Sequence, residues 1–260
     1  MSIIHNTTRQ LLRDGQLAIG LGLRNLRTMD SARIAKACGF DWLFIDMEHG
    51  SYDLDLACQL SVAALDSGVT PIVRVPGHQH FHAARVLDGG AMGIVVPHVD
   101  DAEQAAAAVA NCKFPPIGHR SMTGTHAQLG FASMPLPEMT KVLNENLLLV
   151  VMIETPRAVE NADAIAALDG IDVLLIGTND LCAEMGIHGQ FGDARVEAAY
   201  RTVIDACQRH GKSAGMGGVY DEELAARYIG MGARFVLGGS DLSFLMSAAG
   251  ARSKFLKSLA

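Results

Sequence analysis

Short, uninterrupted apolar runs alternate along this chain with longer stretches that mix alanine and leucine with charged residues. The runs at Leu17–Gly22, Trp42–Asp46, Pro71–Val75, Gly93–Pro97, Leu147–Ile153, Val173–Ile176, Ser213–Met216 and Phe235–Leu237 predict β-strands. The stretches Ser31–Cys38, Asp53–Leu65, Phe81–Leu87, Asp101–Asn111, Pro156–Leu168, Ala194–His210, Asp221–Met231 and Asp241–Ala249 predict helices. Asp53, Asp101, Asp221 and Asp241 stand where a carboxylate can cap exposed amides, and Pro156 suits a first helical turn. Strands that are apolar throughout, rather than at every second position, are buried on both faces, as in a parallel sheet. Eight strand–helix units are the number that closes an α/β chain into a (β/α)8 TIM barrel. A doubly wound open sheet is the competing arrangement. The pairs Gly89-Gly90, Gly217-Gly218 and Gly238-Gly239 favour closure, since they leave space for a ligand near the rim.

Only the segment Lys113–Asn146 breaks this rhythm. It carries proline, glycine, histidine and arginine without a clear period, and such long connections serve as lids or oligomer contacts. No linker or shift in composition marks a second domain, so residues 1–260 read as a single barrel. The net charge of -7, with both signs scattered, lacks the basic face of a nucleic-acid binder. The five cysteines form no CxxC pair and read as reduced thiols. The amino-terminal stretch lacks the basic start and apolar core of a signal peptide, and no run reaches the roughly 18 apolar residues of a membrane span. The expected compartment is the cytoplasm, with no membrane contact.

Acids at strand ends carry the chemistry. Glu154 closes the run from Leu147, Asp180 follows the run from Val173, and Asp46, Glu48 and His49 close the run from Trp42. A parallel barrel delivers the C-terminal residues of every strand to one rim, and hard divalent cations favour carboxylate oxygens held on rigid elements. Glu154 and Asp180 therefore suit Mg2+ or Mn2+ acting as a Lewis acid on a carbonyl. Arg74, inside an apolar strand, must face a carboxylate or an anionic ligand, where it would stabilise an enolate oxygen. His49 is a candidate acid/base, and Asp88 a candidate to orient it. His98 stands at a rim position, where it either lines the pocket or makes a loop hydrogen bond. His78, His80 and His82 are set aside as a metal site, because at about 100° per residue they cannot share a helical face. None of Lys36, Lys113, Lys141, Lys212, Lys254 and Lys257 sits at the C-terminal end of a strand, which argues against a Schiff-base aldolase. Neither a G-x-S-x-G elbow nor a Walker loop is present.

Phe40-Asp-Trp-Leu-Phe-Ile-Asp-Met-Glu-His49, Val73-Arg-Val-Pro76, Leu87-Asp-Gly-Gly-Ala-Met-Gly-Ile-Val-Val-Pro97, Met152-Ile-Glu-Thr155 and Ile176-Gly-Thr-Asn-Asp-Leu181 together resemble the HpcH/HpaI aldolase family, the metal-dependent class II pyruvate aldolases. The resemblance runs from about Gly20 to Asp241, in order and spacing. It implies a single barrel with helices at the amino and carboxyl ends that serve oligomer contacts, in a homotrimer or homohexamer. It also implies a divalent metal (Mg2+, Mn2+ or Co2+) on Glu154 and Asp180, with Asp46 and Glu48 holding metal-bound water. By the same resemblance Arg74 meets the pyruvyl oxygen, backbone amides of Gly177, Thr178 and Asn179 cradle the carboxylate, and His49 with Asp88 forms a proton-moving dyad. The implied reaction cleaves a 4-hydroxy-2-oxo acid to pyruvate, or a close 2-oxo acid, and an aldehyde. Other metal–enolate enzymes, of oxaloacetate decarboxylase or acyl-CoA lyase type, and a non-catalytic keto-acid-binding barrel are the alternatives. The chain departs from the family's usual Gln-Ile-Glu-Thr, Gly-Pro-x-Asp-Leu and Gly-x-Arg-Gly at Met152, Thr178 and Ser121.

Overall fold

A computed structural model describes residues 5–259; Met1–Ile4, read above for the lack of a leader, and Ala260 lie outside the described residues. A first helix, α1 (Thr7–Arg13), precedes β1 (Ala18–Leu23), α2 (Asp30–Ala37), β2 (Trp42–Asp46), α3 (Leu54–Ser67), β3 (Thr70–Arg74), α4 (His80–Asp88), β4 (Gly93–Val96) and α5 (Ala102–Cys112). Then come α6 (Leu136–Asn146), β5 (Leu148–Ile153), α7 (Pro156–Glu160), α8 (Ala162–Ala166), β6 (Val173–Gly177) and α9 (Thr178–Glu184). The chain ends through α10 (Ala194–Arg209), β7 (Ser213–Gly217), α11 (Glu222–Met231), β8 (Ala233–Ser240) and α12 (Asp241–Lys257). Each strand pairs in parallel with the next and β8 closes on β1, so the sheet is a barrel and not the open alternative.

Both strand faces are buried, which is why the runs are apolar without interruption. Trp42, Phe44, Ile72, Val150 and Leu175 point inward and fill the barrel, while Leu43, Ile45, Val73, Val151 and Ile176 face the helices. Toward the N-terminal end Trp42 stacks on Phe235 with centroids 4.0 Å apart. The ring fits only because residue 20 is glycine: a Cβ there would lie 2.3 Å from the indole. Below it α1 caps the barrel, with Leu12 in the interior cluster, Asn6 donating to the Met92 and Asn146 carbonyls, and Thr8 bonded to Thr70.

Asp53, Asp101 and Asp221 cap α3, α5 and α11. Asp241 does not act as a cap. Ser240 takes that position, and the Asp241 carboxylate accepts the amides of Arg24, Asn25 and Leu26, binding the turn after β1 to the start of α12. The helix expected at Pro156–Leu168 is two short ones split at Asn161, whose amide donates to the Asp100 carbonyl. The carboxyl-terminal helix runs on to Lys257, past the expected end at Ala249.

The 113–146 segment follows a helix and precedes a strand, so it lies at the N-terminal face, opposite the rim where the acids gather. A lid over this chain's own rim is thereby ruled out. Phe114, Leu129, Met139 and Leu143 give the segment a small core of its own, and α6 lies within it. Lys113, buried, donates to the Asn144 and Leu147 carbonyls at 2.8 and 3.1 Å.

Candidate active site

β2, β3, β5 and β6 lie side by side or one strand apart in the barrel, and each ends in a charged group or passes into one. Arg74 is the last residue of β3, in register with Asp46, the last of β2. The guanidinium grips that carboxylate in a fork, Nε to Oδ1 at 3.0 Å and Nη2 to Oδ2 at 2.7 Å. Its Nη1 lies 2.9 Å from Glu48 Oε2, its Cζ 5.2 Å from the Phe44 ring centroid, and the Met152 sulfur 3.8 Å from Nη1. The buried arginine thus faces carboxylates, as its burial requires, and although fixed on three sides it is not fully used by them: five N–H groups exceed these contacts. Burial pushes the Asp46 carboxyl up, but Arg74 and the amides of His49 and Glu48 more than reverse this and hold it below the usual range. Asp46 Oδ1 also takes those two amides, at 3.2 and 3.1 Å, so the carboxylate shapes the 46–49 turn. As a holder of metal-bound water Asp46 is less available than Glu48.

Glu154 follows β5 and is buried. Its Oε2 accepts the His98 amide at 2.7 Å, and the His98 ring bridges Glu154 Oε2 and Glu48 Oε1, each at 3.3 Å. His98 has φ 52°, a left-handed backbone that turns its N–H toward the acid. Of the two expectations for His98 the loop hydrogen bond is the one met: its amide holds Glu154, and the residue is not among those that line the cavity over the rim. Glu154 Oε1 is buried with no hydrogen-bond partner. Burial, and secondarily the charges of Asp180 and Glu48 acting against His98, push this carboxyl up to about 7. A buried carboxylate with a bare oxygen and acidic neighbours wants a proton or a cation. Space is kept for it too, because a Cβ at Gly177 would lie 2.7 Å from Oε1.

Asp180 sits in the first turn of α9, which begins directly at the end of β6. No group of three or more His, Cys, Asp and Glu side chains that could hold a metal is found among the described residues. Two carboxylates leave most of a hard cation's shell to water and substrate oxygens, which fits Mg2+-like ions. The three histidines near residue 80 stand outside this site, and His78 Nε2 bonds the Pro97 carbonyl.

A cavity of about 500 Å3 opens over the rim, lined by His49, Arg74, Gly177, Thr178, Asn179 and Asp180. The Thr178 hydroxyl is already committed, to the Gly217 carbonyl and the Tyr200 hydroxyl, so only its backbone is free to meet a ligand. His49 is exposed, its Nε2 3.9 Å from Glu48. Asp88 is not beside it. As the last residue of α4 it stands at the opposite face, 2.6 Å from the buried Arg120 guanidinium and still 39% exposed. Arg24 and Tyr220, which also line the cavity, carried no sequence signal: each sits in a turn without a motif.

Charged side chains delivered by several strands to one C-terminal cavity define a (β/α)8-barrel enzyme site. The chain belongs to the HpcH/HpaI aldolase/citrate lyase family, whose model matches residues 24–248. It is 44% identical over 245 residues to a 4-hydroxy-4-methyl-2-oxoglutarate aldolase of Hapsidospora irregularis, covering 91% of each chain. It is 34% identical over 218 residues to a 5-keto-4-deoxy-D-glucarate aldolase of an Enterobacter species, covering 84% of each. Among solved structures, an HpcH/HpaI aldolase from Desulfitobacterium hafniense superposes with a TM-score of 0.91 at 29% identity, over 96% of both chains.

Proposed function

We propose that this chain is a carbon–carbon lyase that cleaves a 4-hydroxy-2-oxo acid to pyruvate, or a close 2-oxo acid, and an aldehyde, and runs the reverse condensation. The observation that carries this reading is the bare, buried Oε1 of Glu154 beside Asp180 and across from the anchored Arg74. Glu154 and Asp180 are the residues to hold Mg2+, Mn2+ or Co2+; the ion, when bound, supplies Lewis acidity toward the 2-oxo carbonyl. Backbone amides from Gly177 to Asn179, at the start of α9, receive the substrate carboxylate. Arg74 donates to the carbonyl oxygen, which gains charge as the C3–C4 bond breaks and the enolate forms. His49, exposed at the cavity wall, takes the proton of the 4-hydroxyl through water, leaving the C4 carbonyl of the aldehyde, and the same proton returned through water to C3 turns the enolate into pyruvate. Glu48, between Arg74 and His98, orders water near the cation. Asp46 fixes Arg74 and the turn that carries His49.

In one chain Asp88 and His49 occupy opposite faces, so the dyad the family implies requires Asp88 from a second copy. A homotrimer or homohexamer, working in the cytoplasm, supplies that copy. Exposed apolar side chains on α12 (Leu245, Met246) and on the 113–146 segment (Phe131, Leu136) support such contacts. No helix among the described residues is long and apolar enough to cross a membrane.

The test is pyruvate release from a panel of 4-hydroxy-2-oxo acids with Mg2+, Mn2+ or Co2+. Activity is expected to vanish in excess chelator, and in Glu154→Gln and Asp180→Asn while their circular dichroism stays that of the parent. Undiminished turnover in chelator would refute the assignment of these two acids.

A further inference from the structure

The cavity is lined by two arginines, and the reaction as written uses one. Arg24 is the first residue after β1, and its position is built, not incidental. The buried Asp241 carboxylate accepts the Arg24 amide at 3.0 Å and the next two amides at 2.9 and 2.6 Å, pinning the turn against α12. The side chain is different: among the described residues no acid pairs with its guanidinium, and its one polar contact is from Nη2 to the His49 carbonyl at 3.4 Å. Arg74, by contrast, is held by two carboxylates. Arg24 therefore stands on the His49 side of the cavity, where the 4-hydroxyl and the departing half of the substrate lie in the reaction above. Tyr220, its side chain partly exposed, lines the same cavity.

Four carboxylates (Asp46, Glu48, Glu154 and Asp180) make this rim hostile to a second anion unless a cation faces it. A substrate with one carboxylate uses the α9 end of the cavity and leaves Arg24 idle. We infer that Arg24 is the residue that selects the departing half of the substrate, its free guanidinium taking a carboxylate there with the Tyr220 hydroxyl as a second donor. This rests on the lyase reading, and it is tested in two arms so that the two can fail separately.

The first arm compares kcat/KM for 4-hydroxy-2-oxoglutarate and 4-hydroxy-2-oxovalerate, which differ by a carboxylate in place of a methyl. The parent favours the diacid; in Arg24→Gln that ratio falls about 10- to 100-fold, the size of one charge-assisted hydrogen-bonded pair, and in Arg24→Lys it falls less. The second arm measures binding of 2-oxoglutarate and 2-oxovalerate to the Mg2+-loaded protein by calorimetry. The parent prefers 2-oxoglutarate, Arg24→Gln loses that preference, and high salt erodes it in the parent. A ratio that is the same in Arg24→Gln and the parent, or equal losses on both ligands, overturns the assignment. If the parent cleaves neither acid the binding arm decides on Arg24 alone, and the lyase reading itself fails only if no member of the 4-hydroxy-2-oxo acid panel releases pyruvate.

Discussion

At Arg74 the geometry of a single side chain decides what the site can do. Its planar fork matches the Asp46 carboxylate atom for atom, and a lysine of similar reach offers one point charge instead. Arg74→Lys leaves Asp46 and Glu48 facing each other with less neutralisation and, in the proposed reaction, the carbonyl oxygen without a directed donor. A fall in kcat of about 100-fold or more is expected, the scale of losing one oxyanion donor, with KM changing less. Steady-state pyruvate release checks this, and an unchanged kcat would remove Arg74 from the chemistry. Glu154 shows the same economy. One oxygen is turned by the strained His98 amide and the other is kept bare, so the acid is aimed before any ligand arrives.

The element that matters most is the joint between β6 and α9. Gly177 ends the strand at φ -84°, which any residue can adopt, so the glycine is there for space and not for backbone freedom. In Gly177→Ala the new methyl would meet Glu154 Cγ and Oε1 at 2.7 Å and displace the acid. Activity is expected to drop about 100-fold, as for a misplaced catalytic group, while the thermal midpoint moves little; a fully active variant would mean Glu154 has more room than the packing shows. At the other face Lys113 fixes the junction of the 113–146 segment with β5. Burial brings its ammonium down to about 8 from 10.5. The unfolded chain then binds more protons than the folded one between those values, so this group adds stability as pH rises through that window. Cysteines and tyrosines titrate there as well, but they are common to a Lys113→Met variant. The stability of the parent relative to Lys113→Met should therefore rise between about pH 8 and pH 10.5 in paired thermal melts; a flat difference would show the amine fully charged in its pocket.

For the molecule as a whole, the separation of Asp88 from His49 is the informative result. If the pair works together it does so between copies, which makes a mixing experiment decisive. His49→Ala and Asp88→Asn are each expected to be nearly inactive, and co-refolding or subunit exchange of the two should restore part of the parent rate. Each mixed oligomer can then hold some sites with both groups intact. No recovery in oligomers shown to be mixed would mean that Asp88 serves only to pair with Arg120.

Alternation of apolar runs and amphipathic stretches was enough to specify eight strands, parallel and buried on both faces, and the strand ends that carry Asp46, Arg74, Glu154 and Asp180; closure in sequential order, over the open sheet, was decided by the structure. Such periodicity reflects burial, and a closed parallel barrel has one way to bury both faces of every strand. It missed α6 and α9, the split at Asn161 and the function of Asp241, because short helices and caps are settled by local hydrogen bonds that leave no period. Only the tertiary structure could place Arg24 and Tyr220 beside the acids, and turn the His98 amide onto Glu154, since turns without motifs meet by the closure of the barrel. Closure of the barrel sends Asp88 and the 113–146 segment to the far face, away from the acids. Helices return the chain from one end of a barrel to the other, so a residue's face follows from where it falls on that path and not from its chemistry.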